Sequence, residues 1–120
     1  MATLSQLQSK SFSYNETNKK QLHSAAKKAL KVLAEKLNLS KDQYDLRSNQ
    51  GGVAVSGEIT LHTDKLYIQI SQSFSGNGIK VLYRTCKGRK DYGGGQNNYT
   101  TIDKLDSDSF VSQLIRMSNI

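Results

Sequence analysis

The sequence predicts an α+β fold: one long N-terminal helix, an antiparallel sheet of about four strands in a meander, and a short C-terminal helix. Three observations carry this expectation. Leucines and alanines between residues 22 and 37 recur at spacings of three and four, the period of a helix with one buried face. Between residues 44 and 83 the apolar residues alternate instead, which is the period of a strand. Glycine- and asparagine-rich stretches divide that second region at intervals suited to hairpins. With 120 residues and no proline to mark a linker, a single domain over 1–120 is expected.

Residues 1–14 mix Ser, Gln and Thr with Leu4, Leu7, Phe12 and Tyr14, and read as a loosely docked arm. The helix is expected from Thr17 or Asn18, with Asn18 as cap and Gln21 as its capping-box partner. Leu22, Ala25, Ala26, Ala29, Leu30, Leu33 and Leu37 form its apolar stripe, and Asn38 ends it. Its outward face carries Lys19, Lys20, Lys27, Lys28, Lys31 and Lys36 against Glu35. Such a face is commonly just solvated. From the sequence it gains weight as a phosphate-facing surface only if it lies beside the chain's second basic cluster, at residues 84–90.

Tyr44 and Leu46 open the sheet and residues 49–52 turn it. Val53, Val55, Ile59 and Leu61 make a second strand, with Gly57 breaking it as a bulge does. Residues 62–65 read as the next turn. Leu66, Ile68 and Ile70 then alternate with Tyr67, Gln69 and Ser71, and residues 75–78 lead into a strand of Ile79, Val81 and Tyr83. Near the end, Ser107 or Asp108 caps a helix with Phe110, Val111, Leu114 and Ile115 on its apolar side.

The net charge of +7 points to a polyanionic partner, because a summed positive field attracts phosphates. That charge is focal: it concentrates on the helix and on residues 79–92, where Lys80, Arg84, Lys87, Arg89 and Lys90 face only Asp91. A hydrophobic fraction of 36% without tryptophan suggests a core shared between copies. A homo-oligomer is therefore expected, with Phe110, Leu114 and Met117 partly buried between chains. The single Cys86 excludes an internal disulfide, and His23 and His62 add too few ligands for a usual zinc site, so no cofactor is expected. No apolar run reaches the length of a membrane span and the N-terminus lacks the apolar stretch of a signal peptide, which together suggest a cytoplasmic protein without membrane contact.

The stretch from Leu82 to Tyr99 holds the most chemistry. Arg84, Lys87, Arg89 and Lys90 are followed by Tyr92, then Gly93, Gly94 and Gly95, then Asn97, Asn98 and Tyr99. Guanidinium groups pair with phosphate oxygens in a fixed fork, and glycines let backbone N–H groups approach an anion closely. Tyrosine rings offer faces on which a base stacks. Phe74, among serines before the third turn, could floor the same pocket, and Arg116 could either reach a bound anion or favour its own helix dipole. An ordinary basic hairpin, with glycines for turning and asparagines for left-handed backbone, uses many of the same residues. No nucleophile–base pair can be assembled around Cys86, His62 or His23, and the glycine run lacks the Gly-Lys-Ser/Thr ending of a phosphate-binding loop. Binding rather than catalysis is the expectation.

The run from Tyr83 to Tyr92, followed by Gly93 to Asn98, resembles a motif of small bacteriophage and prophage proteins in which it closes a sheet-rich domain preceded by one helix. The upstream pieces from Gly52 to Gly57 and from Leu66 to Ser71 fit the same pattern, and together they cover about residues 20–105. Among such proteins the chain resembles the Thoeris anti-defence family of nucleotide sponges. That resemblance implies a non-enzymatic protein of the infected bacterial cytoplasm. It would bind cyclic ADP-ribose isomers, or cyclic oligonucleotides, between protomers of an oligomer and so cut short an immune signal. It assigns no residue here; the site residues rest on the chemistry of the loop. Two other readings stay open. One is a nucleic-acid-binding protein using the lysine helix and basic loop along one backbone; the other is an anti-CRISPR-type inhibitor that docks on a host nucleic-acid enzyme by charge.

Overall fold

A computed structural model describes residues 16–49, 57–72, 79–88, 96–105 and 107–118. The expected architecture is present, with one strand more. Helix α1 (Glu16–Lys36) leads through a short 3-10 turn into strands β1 (Tyr44–Asn49), β2 (Glu58–Thr63), β3 (Leu66–Gln72), β4 (Ile79–Thr85) and β5 (Asn98–Thr100), and helix α2 (Asp108–Ser118) closes the chain. The five strands pair antiparallel in chain order, so among the described residues β1 and β5 are the edges. Among the described residues no helix is long and apolar enough to cross a membrane.

Helix α1 begins before the expected Thr17 or Asn18, so Asn18 lies in its first turn rather than at its cap. Its C-terminus follows the expected course. Asn38 adopts φ 59°, its N–H reaches the Glu35 carbonyl, and the Leu39 N–H reaches back to the Ala34 carbonyl, each at 3.0 Å. This pair of bonds satisfies carbonyls that the helix end would otherwise leave open, and asparagine tolerates the left-handed backbone they require. Asn38→Gly is expected to raise stability by a few tenths to about 1 kcal/mol, and Asn38→Val to lower it by more than about 1 kcal/mol. Urea midpoints measure both; a valine variant as stable as the parent would contradict this account of the helix end.

The strand alternation sorts the sheet into two faces. Ile59, Leu61, Leu66, Ile68, Ile70, Val81 and Tyr83 point to one side and join Leu22, Ala26, Leu30 and Leu33 of α1 in the core. Each leucine or isoleucine so buried contributes about 1.5–3 kcal/mol, which makes this layer the main source of stability. Helix α1 lies against β1 and β2. Helix α2 packs on the same face: its Phe110 meets Tyr83 edge-to-face at 5.1 Å, and Gln113 Nε2 donates to the Tyr83 hydroxyl at 3.1 Å. Of the two candidate caps it is Ser107 that acts, its Oγ accepting the Phe110 N–H at 3.3 Å.

Several expectations need correction. Phe110 and Leu114 are buried inside the chain, so these two cannot lie between copies as expected; Met117 is partly buried against the same core. Lys19 is buried rather than on the outward helix face. Gly57, with φ 75°, precedes β2 instead of interrupting it; Val53 and Val55 lie outside the described residues. Residues 62–63 belong to β2, and the turn shortens to Asp64 and Lys65, both of whose flanks Thr63 ties: its Oγ1 accepts the Lys65 and Leu66 N–H groups. The fifth strand was unexpected because three residues are too few to show a period; pairing with the outer edge of β4 makes them a strand.

Candidate functional site

On the side of the sheet away from the helices, the register builds two polar rows. Asp45, His62, Tyr67 and Arg84 stand opposite one another across β1 to β4. Beside them run Arg47, Thr60, Gln69, Leu82 and Tyr99 across all five strands. Neighbouring strands lie about 4.8 Å apart, so adjacent members of a row touch.

His62 is the centre of the first row and is fully buried. Its Nε2 lies 2.9 Å from the Gly88 carbonyl, which can only accept, so Nε2 carries the proton. Its Nδ1 lies 2.7 Å from Arg47 Nη2, which can only donate, so Nδ1 is the acceptor. The two partners therefore fix one neutral tautomer. Burial, and then the Arg47 guanidinium, hold the imidazole pKa below its ordinary value near 6.5; the Gly88 carbonyl and Asp45 oppose that shift, and Arg84 adds to it. With both nitrogens engaged, His62 acts as a strut: it pins the start of the basic loop, at Gly88, to the middle of the sheet. A Cβ added at Gly88 would meet no atom within 4 Å among the described residues, so the carbonyl, not the missing side chain, is what this position supplies.

Arg84 ends the same row. Its guanidinium carbon sits 4.2 Å from the centroid of the Tyr67 ring, which also meets the His62 ring edge-to-face with centroids 5.1 Å apart. Cation–π stacking of this kind contributes about 0.5–2 kcal/mol. Arg84 Nη1 also donates to Asn97 Oδ1 at 3.0 Å, one position beyond the last paired residues of β4 and β5. The described residues on either side of 89–95 are thereby fastened to the polar face, Gly88 through His62 and Asn97 through Arg84. Tyr99 on β5 is 55% exposed, and Lys80 Nζ lies 4.9 Å from its ring centroid. At the opposite end of the face, Arg47, Asn49, Glu58, Thr60 and Tyr67 line a cleft of about 160 Å³. That volume holds one phosphate or one ring, not a whole nucleotide, since pockets for drug-sized molecules run to about 300–1,000 Å³.

Of the residues singled out in the sequence, the structure brings Arg84, Asn97 and Tyr99 onto this face. Lys87 is exposed beside Gly88. Asn98 points to the opposite side, where its amide donates to the Gln96 and Tyr83 carbonyls at 3.0 and 3.5 Å; it shapes β5 rather than the site. Arg116 stands exposed in the last turn of α2, in the helical layer across the sheet from Arg84, where the helix dipole accounts for it. Phe74, Arg89, Lys90, Tyr92, Gly93, Gly94 and Gly95 lie outside the described residues. Cys86 is built into the turn: its Sγ contacts the Thr63 carbonyl at 3.3 Å and its N–H donates to the Lys65 carbonyl.

Sequence reasoning missed Arg47, His62 and Tyr67. The signal was present, because Thr60 and His62 continue the alternation against Ile59 and Leu61, but the polar turn that follows masked it. The lysine helix also lies apart from Arg84: α1 packs on β1 and β2, on the core side, whereas Arg84 projects from β4 on the other. No family model matches the chain, and no curated protein or solved structure matches it either.

Proposed function

We propose that the polar face of the sheet binds a small phosphorylated nucleotide and sequesters it without chemical change. The observation that carries this reading is the Arg84 guanidinium, held between the Tyr67 ring and Asn97 at the flank of the glycine loop. A guanidinium positioned in this way loses little entropy when it pairs with a phosphate. Arg47 gives a second cation at the cleft, and Tyr99 an exposed ring for stacking. Nothing in this arrangement favours chemistry: His62 is buried with both nitrogens engaged, and the Cys86 thiol is directed at a backbone carbonyl. Because the cleft admits only one group and Thr60, His62, Tyr67 and Leu82 are buried, the ligand contacts the face at its accessible margins, through Arg47 at the cleft or through Arg84 and the exposed Tyr99.

The resemblance to phage anti-defence sponges makes an immune-signalling nucleotide, a cyclic ADP-ribose isomer or a cyclic oligonucleotide, the ligand of choice. In that role the protein works as a homo-oligomer in the cytoplasm of the infected bacterium. Calorimetric titration with cyclic ADP-ribose isomers, cyclic dinucleotides and mononucleotides, together with light scattering of the free and loaded protein, tests the proposal. Saturable binding of one class at micromolar ligand, lost in Arg84→Ala, is expected; no binding by any class at millimolar ligand overturns it.

A further inference from the structure

We propose a second, separate anion site: a groove between α1 and the edge strand β1 that takes the phosphodiester backbone of a nucleic-acid duplex without reading its sequence. Lys20, His23, Ser24, Lys27, Lys28, Lys31 and Ser48 line it, enclosing about 470 Å³. The helical repeat explains the alignment: positions 20, 27 and 31 fall within a narrow arc of one face and extend about 16 Å along the axis. Its floor is fixed by a hydrogen bond of 2.6 Å between His23 Nδ1 and Ser48 Oγ, which ties the buried imidazole of the helix to β1. No carboxylate lines the groove, and among the described residues none pairs with Lys20, Lys27, Lys28 or Lys31. Glu35, a turn beyond Lys31, lies outside the lining and marks one end of the positive stretch.

The chemistry of the lining selects the occupant. Four ammonium groups act as point charges suited to phosphates at variable angles, and no arginine is present to read a base edge by a bidentate contact. The one ring in the lining, the His23 imidazole, is buried and hydrogen-bonded to Ser48, so single strands gain no stacking there. A duplex presents about one phosphate charge per 1.7 Å of axis, dense enough for several to fall within the reach of the stripe. The site is independent of the nucleotide face, since sheet and core lie between them.

The test is fluorescence anisotropy with duplex DNA and duplex RNA of arbitrary sequence, at salt from 50 to 200 mM. Four phosphate contacts predict an affinity loss of about 150-fold across that range for the unmodified protein. The triple variant Lys20→Gln/Lys27→Gln/Lys31→Gln should lose only about 3.5-fold, starting from weaker binding. Lys41→Gln/Lys65→Gln/Lys104→Gln, equal in charge change but confined to exposed lysines elsewhere, should keep the steep dependence. Circular dichroism verifies that both variants are folded. The proposal is overturned by no duplex binding at 50 mM salt, by equal salt slopes in the two triple variants, or by tighter binding of single strands or an acidic peptide than of either duplex.

Discussion

Arg84→Ala is expected to weaken binding of the nucleotide ligand by about ten- to 150-fold, the equivalent of about 1.5–3 kcal/mol for a charge-assisted hydrogen bond. The effect is large because Arg84 is held by the Tyr67 ring and by Asn97, so its guanidinium is in place before the ligand arrives. Alanine removes the fork and also unfastens the Asn97 flank of the loop, which by itself could loosen a pocket. Arg84→Lys separates the two effects. Lysine keeps a charge near the same place but loses the planar donor pair and much of the stacking, so a partial recovery of affinity at best is expected. Asn97→Ala keeps the guanidinium and frees only the flank, and should cost less than Arg84→Ala. Calorimetry on the three variants measures all of this. Full recovery by lysine would mean that only charge matters, and an Arg84→Ala protein that binds as well as the parent would remove the polar face as the site.

The second large effect is expected at His62. Its ring fills a buried position, meets the Tyr67 ring edge-to-face, and makes hydrogen bonds with Arg47 and Gly88. His62→Ala leaves a cavity and an unpaired Gly88 carbonyl, and is expected to cost about 2–4 kcal/mol. Domains of this size have about 5–15 kcal/mol in all. His62→Phe refills the volume and retains the aromatic contact, so its loss isolates the two hydrogen bonds and should be smaller. Chemical denaturation gives both values; an alanine variant within 0.5 kcal/mol of the parent, the range usual for a surface change, would show that the strut does not exist.

The same residue sets a pH dependence whose sign follows from its environment. The folded state holds the imidazole neutral, with a pKa below the ordinary 6.5, while the unfolded chain titrates near that value. Between the two the unfolded state binds more protons, so stability is complete above about pH 6.5 and falls as pH drops towards the folded pKa. Protonation would also set an Nδ1–H against the Arg47 guanidinium, turning a bond into a repulsion. In His62→Phe this part of the profile should be flat relative to the parent, with His23 and the carboxylates common to both. Parallel profiles for the two proteins between pH 5 and 7 would contradict the assignment.

Much of this molecule is determined locally. The stripe from Leu22 to Leu37 needs no partner to declare a helix, the left-handed Asn38 marks where that helix stops, and the alternation through Leu66, Ile68 and Ile70 marks a strand with one buried side. Side-chain period and backbone preference act within a few residues, so the sequence alone carries them. What a residue faces is decided at longer range. Arg84 and Tyr83 are neighbours in the chain, yet one joins the polar rows and the other packs against Phe110, because successive strand residues point to opposite sides. The same alternation divides Asn97 from Asn98, and it puts the lysine helix and Arg84 on different sides of the sheet. Pairing register then assembles Asp45, His62, Tyr67 and Arg84 from four strands, and gives Asn98–Thr100 an edge to join. Register depends on which strands meet, a non-local event that no window of sequence contains; that is why the basic cluster was legible in the chain while the polar face beside it, and the histidine that ties Gly88 to that face, became visible only in the fold.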